Sequence, residues 1–92
     1  MIRTFSSKDA QTLFAGGRIR HWIAIETVAL RKLAMLNRAA RLEDLRIPPA
    51  NRLEALKGKR AGQHSIRIND QFRICFVWSK GDAYDVEIVD YH

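Results

Sequence analysis

The chain predicts an α+β domain in which helices come first and cover one face of a mainly antiparallel sheet. Two observations predict it. Between residues 20 and 37 apolar side chains recur at spacings of three and four, the period of a helix buried along one stripe. From Gln63 onward the period falls to two, as in strands that bury a single face. Helices followed by a run of strands pack as two layers around one core. No internal repeat, low-complexity stretch or linker interrupts residues 1–92, so one domain is expected.

Ile2 to Phe5 reads as a short first strand. Ser6-Ser7-Lys8-Asp9 has the Ser-x-x-Asp spacing of a capping box, so a helix begins there. Leu13 and Phe14 supply its apolar face, and Gly16-Gly17 ends it. The next helix runs from about Arg20 to Asn37, with Trp22, Ile25, Ala29, Leu33 and Leu36 on its stripe and Arg31, Lys32 and Arg38 off it. A helical turn at Leu42 to Leu45 is stopped by Pro48-Pro49. The segment from Asn51 to Arg60 carries Arg52, Lys57, Lys59 and Arg60 into a glycine-containing loop.

Three strands follow. His64, Ile66 and Ile68 share one parity, as do Phe72, Ile74, Phe76 and Trp78, and then Tyr84, Val86 and Ile88. Asn69-Asp70-Gln71 and Ser79-Lys80-Gly81-Asp82-Ala83 are the connecting turns. A sheet face is buried only where apolar residues of neighbouring strands coincide, so the even face meets the helices. That pairing sets Ile66 opposite Ile74 and Arg67 opposite Arg73, and it sets Val89 across from Arg73. Tyr91 then joins the arginine face. Like charges directly opposite destabilise a sheet. Solvation, a nearby carboxylate such as Glu87, or a bound anion would relieve them.

Charge narrows the function. The formal net charge is +6, from 16 Lys+Arg against 10 Asp+Glu. Residues 1–60 hold 13 basic and 5 acidic groups, while residues 61–92 hold 3 and 5. A small basic domain suits polyanions, because each phosphate contact releases condensed counterions. A single cysteine, Cys75, forms no internal disulfide, and neither a signal peptide nor a membrane span is present, so the cytoplasm is the expected compartment.

Metal spacings are absent: His21, His64, Cys75 and His92 are scattered, so no metal and no cofactor are expected. No phosphate-binding glycine motif occurs either. Cys75 reads as a structural thiol and His64 as a satisfied histidine at the core edge. The chemistry gathers at the end of the chain, Asp90-Tyr91-His92. Metal-free RNA cleavage needs a base for the ribose 2′-hydroxyl, an acid for the leaving oxygen, a cation on the phosphate and a platform for the nucleotide. His92 titrates near neutral pH. Lys57, Arg67 and Arg73 could hold phosphate, Tyr91 could stack, and Asp90 and Glu54 are carboxylates within reach.

Taken together, Arg52-Leu-Glu-Ala-Leu-Lys57-Gly58, Gly62-Gln-His-Ser-Ile-Arg67-Ile-Asn69-Asp70-Gln71-Phe-Arg73-Ile and Glu87-Ile-Val-Asp90-Tyr91-His92 resemble the HigB toxins, a branch of the RelE/ParE superfamily. The resemblance covers essentially the whole chain. It implies a compact microbial-RNase fold, with an N-terminal strand and two helices on one sheet face. It also implies a toxin that enters the ribosomal A site and cleaves translated mRNA. An adjacent helix-turn-helix antitoxin, HigA, would silence it, and operator DNA would be bound only through that complex. Lys57 and Arg73 match positions assigned to phosphate or transition-state contacts, and Asp90, Tyr91 and His92 match the C-terminal catalytic group. Position 54 departs from the pattern, because some members carry histidine where this chain has Glu54.

On that resemblance the antitoxin is expected on the helical side, at Leu13, Phe14, Arg18, Ile19, Arg20 and Trp22, leaving the site around Arg73 and His92 open. Two rivals remain in view. ParE-like gyrase inhibitors share the fold but generally lack the terminal Tyr-His, and a basic nucleic-acid-binding module would need no chemistry at all.

Overall fold

The structure, a computed structural model, describes residues 1–91. Helix α1 spans Lys8–Phe14, and Ser7 caps it, its Oγ accepting from the Ala10 N–H at 3.2 Å. The cap therefore lies one residue later than the sequence spacing suggested. Gly16, at φ 101°, takes the left-handed turn that ends the segment.

The second helical region is not one α-helix. Arg20–Ile25 forms a 3-10 helix and α2 continues from Glu26–Arg38. Trp22 and Ile25, three residues apart, fall on one side of the 3-10 segment. Both are buried, together with Ala29, Leu33 and Leu36, so the stripe is as expected. Lys32 is the exception. It was placed off the stripe, yet only 8% of it is exposed, because positions 29, 32 and 36 share a face. Its ammonium donates to Asn51 Oδ1 at 2.5 Å.

A 3-10 turn at Leu42–Arg46 follows, where Asp44 Oδ2 accepts from the N–H groups of Ala40 and Arg41 at 2.9 and 3.0 Å. Another at Pro49–Asn51 leads into Arg52, whose backbone is left-handed at φ 46° and ψ 54°. The sheet is antiparallel and four-stranded: β1 Glu54–Ala55, β2 His64–Arg67, β3 Phe72–Ser79 and β4 Asp82–Asp90, in that spatial order. The edge strand β1 corrects the expectation of a loop there. It is two residues long, too short for any alternation to show.

The parity-derived register holds across the centre of the sheet, with Ile66 opposite Ile74, Arg67 opposite Arg73 and Val89 opposite Arg73. It fails in the first half of β4. Cys75 faces Glu87 but Val77 faces Tyr84, so β4 carries one extra residue, and Asp85 adopts φ 53°. This bulge flips parity. Ala83 is buried in the core and Tyr84, expected there, leaves it. The β3–β4 connection is also tighter than expected, a two-residue turn of Lys80 and Gly81, both at positive φ.

Ile2 to Phe5 runs parallel to β4 but makes only isolated bridges, Ile2 to Ala83 and Phe5 to Val86, because the bulge breaks the ladder between them. The core lies between helices and sheet and is built on Leu13, Leu33, Leu36, Leu45, Ile66, Ile74, Phe76 and Val86. Each such side chain contributes about 1.5–3 kcal/mol by leaving water. His64 stacks on Phe76 at 6.2 Å, but its buried Nδ1 has no hydrogen bond among the described residues, against the expectation of a satisfied histidine. Among the described residues no helix is long and apolar enough to cross a membrane.

Candidate active site

The face of the sheet turned away from the helices carries Ser65, Arg67, Arg73 and Cys75. It is less open than alternation alone suggested. Ser65 and Cys75 are fully buried, and Arg73 is only 9% exposed. Burial pushes the Cys75 thiol pKa up, which suits a structural thiol better than a nucleophile.

Arg73 is the centre of the arrangement. Its Nε donates to Ser65 Oγ at 2.8 Å and its Nη2 to the Arg52 carbonyl at 2.6 Å. The same Nη2 lies 3.3 Å from Glu54 Oε1, and the guanidinium carbon sits 5.7 Å from the centroid of the Tyr91 ring. Four different segments therefore hold one side chain: β1, β2, the left-handed residue before β1, and the segment after β4. A guanidinium fixed on several sides is preorganised for an anion, since little reordering is needed when charge arrives.

Tyr91 is placed by the β2–β3 hairpin. Its N–H donates to the Gln71 carbonyl at 2.5 Å, and Gln71 Nε2 donates to Asp90 Oδ2 at 3.0 Å. The hairpin is itself stiffened by Asn69 Oδ1, which accepts from the N–H groups of Gln71 and Phe72, each at 2.8 Å. Tyr91 stays 41% exposed. His92 lies outside the described residues.

A family model described as the RelE-like toxin HigB of type II toxin–antitoxin systems matches residues 4–92. The chain belongs to this family. It is 48% identical over 60 residues to Toxin HigB-1 of Vibrio cholerae serotype O1, covering 65% of this chain and 63% of that one. The chain thus spans less than two thirds of that relative's length. Endoribonuclease HigB of Proteus vulgaris is 31% identical over 93 residues, covering the full length of both chains. The fold is shared with the crystal structure of a heterotetrameric YoeB–YefM toxin–antitoxin complex from Staphylococcus aureus. That match has a TM-score of 0.58 and 18% identity, and it covers 100% of this chain and 98% of the other.

Within this HigB-like chain the sequence-derived cations divide into two groups. Arg52, Lys57 and Lys59 are exposed, and no described residue holds their side chains by a hydrogen bond or ion pair. Arg60 and Arg67 are already committed. Arg60 donates to Gln63 Oε1 at 3.0 Å and pairs with Glu87 at 3.3 Å, while Arg67 pairs with Asp70 in the hairpin. Glu87 therefore relieves Arg60, not the Arg67–Arg73 pair. Glu54, 53% exposed, is the carboxylate that answers Arg73.

On the helical side, Leu13 and Trp22 are buried in the core, so neither offers the apolar contact expected of it. Phe14 and Ile19 are half-buried against the core, Arg20 is exposed, and Arg18 pairs with Glu26 at 3.3 Å. Ile23, which sequence reading passed over, is 54% exposed in the same 3-10 helix as Arg20. Sequence reading also missed Ser65 and Gln71. Parity does put Ser65 on the arginine face, one pairing step from Arg73, and that is the signal that could have found it.

Proposed function

We propose that this chain is a ribosome-dependent mRNA endoribonuclease, the toxin half of a type II toxin–antitoxin pair acting in the cytoplasm. The observation that carries the reading is the Arg73 guanidinium, held by Ser65, Arg52 and Glu54 beneath Tyr91, in a chain that also exposes Lys57 and Lys59. The Proteus vulgaris relative, Endoribonuclease HigB, supports the same reading.

In this mechanism a ribose 2′-oxygen attacks the adjoining phosphorus and the bond to the 5′-oxygen breaks, leaving a 2′,3′-cyclic phosphate. The 2′-proton passes to a base, Glu54 or Asp90, and His92 returns a proton to the leaving 5′-oxygen. Arg73 and Lys57 neutralise the charge that builds on the phosphoryl oxygens. Arg52, Lys59, Arg60 and Arg67 extend the basic surface along the RNA, the last two only where substrate phosphate replaces their carboxylate partners. Tyr91 stacks on a base flanking the scissile bond. Cleavage in the A site is carried over from the resemblance to the HigB toxins; single-stranded mRNA held there in a fixed geometry suits such an attack.

A HigA-like helix-turn-helix antitoxin is the proposed partner. It would dock on Phe14, Arg18, Ile19, Arg20 and Ile23, and bar entry to the ribosome by bulk rather than by plugging the site. Expression in growing cells with pulse labelling tests the function. Protein synthesis should stop while DNA supercoiling stays unchanged; arrest through loss of supercoiling would favour gyrase inhibition instead.

A further inference from the structure

The left-handed residue Arg52 presents its carbonyl to Arg73, and what holds Arg52 there is buried and polar. Asn51, its neighbour, is fully buried and donates through Nδ2 to the Leu45 carbonyl and towards Met35 Sδ, both at 3.1 Å. Its Oδ1 accepts from the Lys32 ammonium at 2.5 Å. The Asn51 and Arg52 N–H groups donate to the carbonyls of Pro48 and Pro49, at 2.9 and 3.0 Å. The chain then leaves in a backbone conformation that a non-glycine residue adopts only when its surroundings impose it.

Lys32 is costly where it stands. Among the described residues its one hydrogen-bond partner is a neutral amide, and burial, together with repulsion from the Arg31 guanidinium, pulls its pKa below the ordinary value. A leucine or methionine would fill the inner face of α2 without that cost. The ammonium achieves one thing an apolar side chain does not: it grips Asn51 and so ties α2 to the turn that ends at the Arg52 carbonyl.

We infer that Lys32 and Asn51 are positioning residues for Arg73: the buried Lys32–Asn51 bond holds the Pro49–Asn51 turn so that the Arg52 carbonyl stays in hydrogen-bond reach of Arg73 Nη2. Removing the grip lets Arg52 relax from its left-handed conformation and frees one edge of the guanidinium. The phosphate contact then loses its preorganisation, although no group that touches RNA has been changed. This rests on the ribonuclease reading for its effect on catalysis, but the geometry it asserts does not.

The experiment uses the full chain and two readouts. Lys32→Met keeps length and packing and removes the charge. In the assigned NMR spectrum of the free protein, the Arg73 Nε–Hε resonance should shift and broaden. In ribosome-dependent cleavage, kcat should fall between about ten- and a hundredfold with KM little changed. The same substitution in an Arg73→Ala background should add nothing, because the effect runs through Arg73. An unchanged Arg73 resonance, or a loss of cleavage that adds fully to that of Arg73→Ala, would overturn the inference. Should Lys32→Met not fold, the double variant Lys32→Met/Asn51→Leu leaves neither an unpaired charge nor an orphaned amide at this pair and is read by the same criteria. If the wild-type protein cleaves nothing, the resonance alone decides, and it is the function that fails.

Discussion

Arg67 and Arg73 stand directly opposite one another on neighbouring strands, yet each guanidinium is answered by a different carboxylate, Asp70 for Arg67 and Glu54 for Arg73. The repulsion expected of like charges across a sheet is thereby divided between the hairpin and the edge strand. The consequence is functional. Arg67 is turned to the tip of the hairpin, and Arg73 is turned under Tyr91.

These two arginines should therefore respond differently to substitution. Arg73→Ala is expected to lower cleavage by about a hundred- to a thousandfold, the typical loss when a preorganised transition-state contact goes. Arg73→Lys should recover little, since one ammonium cannot serve Ser65, Arg52 and Glu54 together. Arg67→Ala, already paired in the resting protein, should cost no more than about tenfold, through weaker RNA binding. Steady-state rates on translating ribosomes, taken both below and at saturating mRNA, separate the three, because the Arg67→Ala loss should vanish at saturation and the Arg73 losses should not.

Ser65→Ala removes the acceptor from a buried guanidinium. A hydrogen bond to a charged group is worth roughly 1.5–3 kcal/mol, and a domain of this size shifts its melting temperature by about 4–8 °C per kcal/mol. A fall of that order in thermal unfolding, with cleavage reduced as well, is the expected result. Ser65→Thr keeps the hydroxyl but crowds a fully buried position, so it should restore catalysis only if the extra methyl is accommodated.

Much of this arrangement was legible in the alternation of the strands, and what was not has physical causes. Even and odd positions gave the Ile66–Ile74 and Arg67–Arg73 register because both strands are regular there. Tyr84 was misplaced because a bulge at Asp85 inserts a residue that no local pattern announces. Strand β1 escaped because a two-residue edge pairing takes its identity from Ser65 and His64 across the ladder, not from its own residues. Lys32 reads as surface because lysine usually is; its partner Asn51 ends the second of the two 3-10 turns that follow α2. Leu13 and Trp22 were offered to a partner although their spacing equally fitted the core, where they lie.

Acid sensitivity should have a local source at Asp44. The backbone N–H groups of Arg41 and Ala40 hold its carboxyl below the ordinary 3.8. A depressed native pKa means that the stabilisation is complete above pH 3.8 and is lost as pH falls through the lower native value. The urea midpoint of Asp44→Asn should lie below that of the wild type at neutral pH, and the gap should close on the acid side. A gap constant down to low pH would show that the charge of Asp44 contributes nothing.

Antitoxin docking is expected on the helical side, where Ile23 is exposed and Ile19 and Phe14 are half-buried. Ile23→Asp should weaken binding of the proposed helix-turn-helix antitoxin at least tenfold, since an apolar anchor at an interface centre is worth more than about 1.4 kcal/mol. Cleavage by the free variant should be untouched. Footprinting of the complex should protect residues 14–23 and leave Lys57, Arg73 and Tyr91 reactive. The reverse pattern would mean that the antitoxin seals the active site.

The central claim is that Arg73, caged beneath Tyr91, makes this chain an mRNA-cleaving toxin. The most direct measurement is 5′-end mapping of a defined mRNA on translating ribosomes, with wild-type protein and with Arg73→Ala expressed to the same level. Wild-type protein should give new 5′ ends within codons occupying the A site and upstream fragments bearing 2′,3′-cyclic phosphate, and the variant should give neither. Intact mRNA in the presence of the wild-type protein, or identical ends with Arg73→Ala, would contradict it.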